Sequence, residues 1–456
     1  MGKKKDKIID PNKVSFGRLF AWHSRTFSAG VVSIIIGYLS LYCTDTLKMP
    51  AALVGSILMA SKLCDGVTDL FAGWLVDNTN TRLGKARPYE FCILGVWLTT
   101  FGLFAVPVNM GMTGKAVWVF IMYTLIWSVF QTMLNASETP YVIRAFGTKE
   151  AIVKVSSYGG VIITLGCMVV SMTFPILVDY MGTDASKWKQ VMILFAVPLG
   201  VIGMLRFLLV KEDRVEYIES EQKVDDKEEK VTLKNIFNMI GKNKFVWLFA
   251  IAVAMPKMIG GMSAVTYYFP VIVGNMSAYS IVSLSSVFMI IFMVLVPVMM
   301  KKFSAIEMFG ISAVVGIIGY LIQFVAGTSI PLLFLGALCT GISCMPYSYL
   351  KSPVIMQLAD YNTRIAMPRM EGTIGSVVNF VEKIFQALGS FLFGILLSTS
   401  GYDGNLAVQP DSAVWMIRLS YSFIPIIFML VVIFCSMKFR PLDKMLQDAK
   451  QSGGTE

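Results

Sequence analysis

The stretch 61–89 reads SKLCDGVTDLFAGWLVDNTNTRLGKARPY; it begins inside an apolar run and ends in a basic turn. Two of its carboxylates, Asp65 and Asp69, are four residues apart, so they would share one face of a helix with Lys62. Ionisable groups deep in a hydrophobic span cost about 3 kcal/mol or more each, and they usually mark an ion path or a binding site. The alternative, in which Lys62 and Asp65 only neutralise each other, leaves Asp69 unexplained. We therefore expect a functional site on this face.

Long segments without charge surround this stretch. The chain has 456 residues, of which 55% are hydrophobic and 15% are charged. Asp, Glu, Lys and Arg do not occur in the segments 91–114, 116–137, 155–178, 258–300, 308–350 and 384–402. A helix needs about 20 such residues to cross a bilayer, and the two longest segments have room for two helices each. The sequence therefore predicts an all-α, multi-pass membrane protein.

The apolar pattern predicts twelve transmembrane helices in two halves of six. They are expected at 16–43, 50–77, 89–109, 115–142, 154–180, 188–210, 244–273, 278–300, 305–327, 331–358, 371–400 and 412–438. The domain boundaries that follow are an N-terminal half at 1–210, a charged cytoplasmic loop at 211–243, a C-terminal half at 244–440 and a cytoplasmic tail at 441–456. Two such halves would hold a solute between them near the midplane. Basic residues concentrate at the ends of even-numbered spans, which places both termini in the cytoplasm beneath the plasma membrane.

Composition argues against several other functions. The seven cysteines lie in apolar segments without pairing spacing, and a single histidine, His23, rules out a site with several histidine ligands. The net charge of +10 comes from basic residues beside the spans, so it indicates topology and not binding to nucleic acid. An enzyme would need a nucleophile with its base, or a metal cluster, at membrane depth, and a channel would need symmetric polar rings. The pattern instead indicates a secondary transporter, whose partners are a small-molecule substrate and the lipid bilayer, with no protein required.

The stretch 61–89 also carries a longer motif. From Asp65 to Pro88 it follows D-x-x-x-D-x-x-x-G-W-x-V-x-x-T-x-x-R-x-G-K-x-[RK]-P, which resembles the signature of the glycoside–pentoside–hexuronide:cation symporters. These form the melibiose permease family within the major facilitator superfamily. Shorter matches occur in both halves, at 42–45, 140–141, 360–361, 369–372 and Lys383. The resemblance implies the major facilitator fold and symport of a sugar, glycoside or hexuronide by alternating access, with no cofactor beyond a coupling Na⁺, Li⁺ or H⁺.

The resemblance also implies which residues couple the cation. Four are expected to bind it, namely Asp65, Thr68, Asp69 and Asn135. From the residues alone, two carboxylates this close either bind a hard cation through oxygen or share a proton. Lys383 is implied to lie near them, and Lys62 replaces an arginine of the family. We expect Lys383 to pair with the carboxylates once the cation has left, so that no bare charge is buried.

A second set of residues is expected to bind the solute. The resemblance implies that Glu138 binds sugar hydroxyls, and Tyr141 belongs to the same motif. Arg25 and Lys257 are candidates to hold an anionic group such as a uronate carboxylate; the alternative is pairing with Glu138 or snorkelling to an interface. Tyr267 is a candidate to stack on a sugar ring. The family's span-one Asp and span-five Arg have no counterpart, which leaves a non-sugar organic anion or a lipid-like solute as the alternative cargo.

The turn that follows the second span is a candidate gate. A glycine turn with basic side chains at a helix end can pair with acids of neighbouring loops. The residues expected to act there, on the cytoplasmic face, are Asp77, Arg82, Gly84, Arg87, Asp360 and Arg369.

Overall fold

A computed structural model describes residues 15–79, 81–84, 86–146, 149–212, 241, 243–288, 292, 298–300, 302–365 and 370–452. At some helical positions the side chain also lies outside the description, Asp69 and Asp77 among them. The predicted loop 211–243 falls mostly outside the described residues, so its boundaries stay a prediction. The described chain is almost entirely helical, which confirms the predicted class.

The described chain forms two sets of helices, one up to residue 212 and one from residue 243 onward. The N-terminal half contains α1 (Phe16–Ile36), α2 (Leu39–Leu41), α3 (Ala51–Asn78), α4 (Cys92–Phe104), α5 (Met112–Thr124), α6 (Thr132–Phe146), α7 (Lys149–Met181) and α8 (Ala185–Leu209). The C-terminal half contains α9 (Lys244–Met262), α10 (Val265–Tyr268), α11 (Ala278–Ser283), α12 (Ala305–Ala326), α13 (Ile330–Tyr349), α14 (Lys351–Arg364), α15 (Glu371–Thr399), α16 (Asp411–Arg418) and α17 (Ile424–Ser452).

Nine helical segments of the described chain are long and apolar enough to cross a bilayer. The other three predicted spans coincide with α3, with the 13-residue α4 and with the helix Ala278–Phe288, after which the description is interrupted. The multi-pass prediction is therefore confirmed, and the count of twelve stays a prediction.

Local sequence signals define several helix ends. Ser15 caps α1 by accepting a hydrogen bond from the backbone N–H of Arg18 at 3.3 Å. Ser304 and Glu307 form a reciprocal capping box at the start of α12. Ser263 adopts φ 51° directly after α9, a left-handed conformation that ends the helix inside the predicted span 244–273.

Helix α15 packs against both α3 and α9 through glycines. A Cβ added to Gly55 of α3 would lie 3.2 Å from the Cα of Gly394, and one added to Gly261 of α9 would lie 2.1 Å from the carbonyl oxygen of Gln386. Small residues let helix backbones approach this closely when no hydrophobic effect drives them together in lipid. The two contacts hold α15, which carries Lys383, between the halves.

The halves are joined at the end of the bundle opposite Ser15. Tyr402 donates a hydrogen bond to Asp45 at 2.7 Å, and the hydroxyls of Thr44 and Tyr267 are 3.1 Å apart. On the other side of this end, Asp179 accepts hydrogen bonds from the backbone N–H groups of residues 276 and 277. We call this region the Asp45 end; its polar contacts close the bundle there.

Candidate functional site

The Asp65 carboxylate lies at the contact between the two halves. Lys383 Nζ is 3.1 Å from its Oδ2, and Thr132 donates a hydrogen bond to its Oδ1 at 3.1 Å. Asp65 is 5% exposed, whereas the side chain of Lys383 is 29% exposed. A carboxylate this buried is stable only when its charge is compensated and its oxygens are hydrogen-bonded. Helices α3, α6 and α15 therefore meet at one ionic contact.

The contact of α3 with the fourth predicted span, 115–142, indicates the level of the second acid. The carbonyl oxygen of Ser61 accepts a hydrogen bond from Ser128, and Asp65 accepts one from Thr132; both partners lie 67 residues further along the chain. The same register places Asp69 level with residue 136, beside Asn135, although the side chain of Asp69 lies outside the description. Asn135 is exposed and accepts a 3.4 Å hydrogen bond from Gln131. Thr132, whose hydroxyl contacts Asp65, lies about one turn before Asn135, and the expected role of Asn135 stays a prediction.

Lys62 lies one turn before Asp65 on α3, and Thr68 lies between Asp65 and Asp69. Lys62 Nζ is 4.2 Å from the ring centroid of Trp127 and 5.9 Å from that of Tyr123, so its ammonium group lies in an aromatic environment. Thr68 donates its hydroxyl proton to the carbonyl oxygen of Asp65 at 3.1 Å. Because that proton is engaged, the lone pairs of the Thr68 oxygen can face a cation.

A second ionic cluster lies entirely within the N-terminal half. Arg206 donates two hydrogen bonds to Glu138, at 2.8 and 3.0 Å, and Arg25 also contacts this carboxylate. Glu90 lies 3.5 Å from Nε of Arg25 and 3.7 Å from Nε of Arg206, which are ion-pair distances too long for good hydrogen bonds. We call these four residues the Glu90 cluster. Its two positive and two negative charges compensate one another, and Glu138 is the one member of the four that stays partly exposed.

Three predicted substrate residues lie in the Glu90 cluster or directly beside it. Arg25 is 3% exposed and pairs with Glu138, which is the alternative to a role in holding an anion. Tyr141 is completely buried, and its hydroxyl donates to the carbonyl oxygen of Val210 at 2.7 Å, so in this conformation it packs against the helices. Glu138 keeps 35% of its side chain exposed, the largest exposed fraction of the three.

Lys257 lies in the C-terminal half, away from the contacts that hold Arg25. It lines a cavity of about 330 Å³ together with Lys351 and Glu382, which we call the Lys257 cavity. Lys351 Nζ contacts Glu382 and Asn379, each at 2.6 Å. Two ammonium groups and one carboxylate line this cavity, so the described lining carries an excess of positive charge.

Tyr267 belongs to the Asp45 end. It is 1% exposed, its hydroxyl contacts Thr44, and its ring meets Phe393 edge-on with centroids 5.3 Å apart. In this conformation the side chain joins the two halves, so a solute reaches its ring only after that contact opens.

The turn after α3 is bound to the end of α8. Glu212 accepts hydrogen bonds from the backbone N–H groups of Ala86 and Arg87, both at 3.0 Å, and the Arg87 guanidinium donates to the carbonyl oxygen of Phe207 at 2.7 Å. Gly84 has φ 117°, and a Cβ added there would lie 2.2 Å from the Glu212 carboxylate. These bonds stabilise the turn within one half.

The remaining predicted gate residues are less fully described. Arg82 and Asp360 are exposed, with Asp360 on α14. The side chain of Asp77 and the whole of Arg369 lie outside the described residues, so a contact between these loops stays a prediction.

Three residues of these clusters were not expected from the sequence: Thr132, Glu90 and Arg206. Thr132 precedes Asn135 by three residues and therefore shares its helix face, which is a usable signal. Glu90 and Arg206 each lie near the end of a predicted span, where charged side chains usually face the interface. Only the fold shows that both are buried, with no exposed surface.

Comparison with known proteins places these features in a family. The sequence profile of the family described as "MFS/sugar transport protein" matches residues 27–444. The isoprimeverose transporter of Lactiplantibacillus pentosus is 26% identical over 98% of this chain and 94% of its own length. The glucuronide carrier protein homolog of Escherichia coli K12 is 23% identical over 90% of this chain and 89% of its own. The crystal structure of the nucleoside transporter NupG superposes with a TM-score of 0.65 at 14% identity, covering 93% of this chain and 99% of that one, which shows a shared fold.

Proposed function

The chain belongs to the MFS/sugar transport protein family, and on that premise we propose that it is a symporter that couples a sugar-type solute to a cation. It is a multi-pass membrane transporter of the major facilitator fold and not an enzyme. The proposal adds the coupling cation, Na⁺, Li⁺ or H⁺, and a solute that is a sugar, glycoside or hexuronide. It also places the chain in the plasma membrane with both termini in the cytoplasm, because the basic loops lie on that side.

The observation that carries the proposal is the ion pair between Asp65 and Lys383. One partner is on α3 and the other on α15, so the pair joins the halves that must move relative to each other for alternating access. A cation or proton that binds Asp65 competes with the lysine for the same oxygen. Binding therefore changes a contact between the halves, which is what coupling requires.

The neighbouring groups suit a small hard cation. The carboxylate of Asp65 and the hydroxyls of Thr132 and Thr68 supply oxygen atoms, the ligands that Na⁺ and Li⁺ share with other hard cations. We place Asp69 and Asn135 one turn further along the same interface. When the cation leaves, Lys383 returns to Asp65, so the empty carrier buries no uncompensated charge.

The solute is proposed to bind between the halves, with Glu138, whose side chain is 35% exposed, as one of its ligands. Its carboxylate is fixed by Arg206 and can still accept hydrogen bonds from sugar hydroxyls. The names of two relatives, an isoprimeverose transporter and a glucuronide carrier homolog, support a glycoside or uronide as cargo.

One observation favours an organic anion as a second candidate cargo. The Lys257 cavity has one more ammonium group than carboxylates among its described lining residues. A carboxylate or sulfonate would balance that charge. Lys351, and not Arg25, lines this cavity together with Lys257.

Uptake into proteoliposomes tests the proposal. Radiolabelled xylosides and D-glucuronate are offered with an inward gradient of Na⁺, Li⁺ or H⁺, or with none. We expect one gradient to drive accumulation and the Asp65→Asn variant to lower it by about 100-fold, since losing the site forfeits a coupling free energy of 2–3 kcal/mol. Asp411→Asn, at an exposed helix start, is the matched control. Accumulation by Asp65→Asn equal to that of the wild type would refute cation coupling at this site.

A further inference from the structure

A π-helical turn interrupts the fourth predicted span beside Asp65. The helix Met112–Phe146 is continuous, but at Leu125–Gln131 its backbone hydrogen bonds join residues five apart instead of four. Such a turn holds about one residue more than an α-helical turn, and single π-helical turns inside α-helices are frequent at functional sites. The position of this one, between α5 and α6, raises the question of which side chains it brings to α3.

The extra residue changes which side chains share a face of the helix. An α-helix has about 3.6 residues per turn, so Thr124 and Thr132 would point about 80° apart around its axis. With one residue added, two turns take about 8.2 residues, and the two hydroxyls come onto one face. The hydroxyl oxygen of Thr132 lies 3.0 Å from the carbonyl oxygen of Trp127, five residues before it. Threonines in α-helices bond the carbonyl three or four residues before, so this contact also reflects the longer turn.

Three hydroxyls along this face contact α3. Thr124 donates a hydrogen bond to Oγ of Ser61 at 2.9 Å, and Ser128 donates one to the carbonyl oxygen of Ser61 at 3.4 Å. Thr132 reaches Oδ1 of Asp65, one turn further along α3, at 3.1 Å. Ser61 and Ser128 are fully buried, so these bonds form within the contact between the two helices.

The hydroxyl of Thr132 has one proton and two acceptors within hydrogen-bond distance. These are Oδ1 of Asp65 at 3.1 Å and the carbonyl oxygen of Trp127 at 3.0 Å. When a cation binds Asp65, the proton can turn to Trp127, and the lone pairs of the hydroxyl oxygen then face the cation. The π-helical turn therefore places both the hydroxyl and its second acceptor beside the carboxylate.

We propose that the π-helical turn positions the cation ligand Thr132, and that Thr124 is the positioning residue that fixes this face of the helix against Ser61. Without the extra residue, a helix held at Thr124 would turn the hydroxyl of Thr132 away from Asp65. Thr124 does not touch the cation and acts through Thr132. Its role rests on the proposed function, namely cation binding at Asp65, and adds to it the helix geometry that brings the ligands together.

A double-mutant cycle in proteoliposomes tests this positioning role. Initial uptake of radiolabelled methyl β-D-xyloside or D-glucuronate is titrated with NaCl, LiCl or external acid. We expect Thr124→Val to raise the cation concentration for half-maximal uptake by about 3-fold, in the lower part of the range for one hydrogen bond. The solute concentration for half-maximal uptake, at saturating cation, should stay unchanged. In a Thr132→Val background, Thr124→Val should cause no further rise.

Further variants separate positioning from a folding defect. Ser61→Ala removes the other partner of the hydrogen bond and should reproduce the shift, whereas Thr124→Ser keeps the hydroxyl and should restore the wild-type cation dependence. Thr99→Val is the matched control, since Thr99 is buried and its hydroxyl bonds only to its own helix. An unchanged cation dependence in both Thr124→Val and Ser61→Ala would overturn the proposal. A fully additive shift in the double variant would overturn it too, because Thr124 would then act without Thr132.

Failure of the proposed function gives a different result. If no cation gradient drives uptake by the wild type, symport is refuted, and the role of Thr124 falls with it. If a gradient drives uptake and Asp65→Asn abolishes it while Thr124→Val and Ser61→Ala keep the wild-type cation dependence, symport stands and only the positioning role is refuted.

Discussion

The chain contains two buried ionic contacts that differ in what they join. The Asp65–Lys383 pair links α3 to α15, one helix from each half, and its lysine is 29% exposed. The Glu90 cluster links four residues of one half, and three of them are exposed by 3% or less. The pair involves one carboxylate and one ammonium group, whereas removing any member of the cluster leaves the charges of the other three unbalanced. The first contact therefore joins the halves, whereas the second stabilises one half, and we expect cation coupling to depend on the first.

The largest expected effect comes from breaking the Glu90 cluster. Glu90→Gln leaves two buried guanidinium groups facing one carboxylate, so the free energy of unfolding should fall by about 3–5 kcal/mol. Thermal unfolding in detergent measures the loss. The control is Glu307→Gln, since glutamine also serves in a capping box. Equal melting temperatures for the two variants would show that the cluster does not stabilise the fold.

The next effect tests whether the Asp65–Lys383 pair is functional. Lys383→Ala should keep solute binding and solute exchange but lower concentrative uptake by about 10-fold, or 1.4 kcal/mol, because the empty carrier would return with Asp65 uncompensated. Uptake and exchange are compared in the same proteoliposomes. Lys438→Ala, an exposed lysine beside Phe434, is the matched control. Unaltered concentrative uptake in Lys383→Ala would remove the distinction between the two contacts.

The smallest effect sharpens the assignment of the cation ligands. Thr132→Val removes the hydroxyl that donates to Asp65 while keeping the side-chain shape, and one hydrogen bond is worth about 1 kcal/mol. We expect the cation concentration for half-maximal uptake to rise by about 5-fold, the equivalent of that energy. Thr173→Val, whose hydroxyl bonds only to its own helix, should behave as the wild type. If Asn135→Ala rather than Thr132→Val shifts the cation dependence, the ligand is the residue that the family resemblance implied.

The helices and the acids at membrane depth could be predicted from the sequence alone. In lipid the backbone N–H and C=O groups of a segment must be hydrogen-bonded internally, and a helix does this within one segment of about 20 residues. Long uncharged segments therefore predict the all-α membrane class directly. The spacing of Asp65 and Asp69 likewise needs only the helical repeat. The proximity of Lys383 came from the family resemblance, and no local pattern links residues 65 and 383.

Other features depend on which helices touch. Arg25 is a plausible anion ligand from its position in a span, yet its partners Glu90 and Glu138 lie on helices distant in sequence. The hydrogen bond from Thr132 to Asp65 likewise joins two helices, and no local pattern along the chain relates these two residues.

The sequence by itself therefore determined the medium, the helical secondary structure and the placing of Asp65 and Asp69 on one helix face, because each follows from hydropathy or from a period of 3.6 residues. Tertiary structure alone decided which charges neutralise each other and which polar groups line an open cavity. The charge pairs and the cavity walls form where helices approach closely, through residues such as Gly55 and Gly394. These contacts join positions far apart in the sequence, which no periodic pattern along the chain relates.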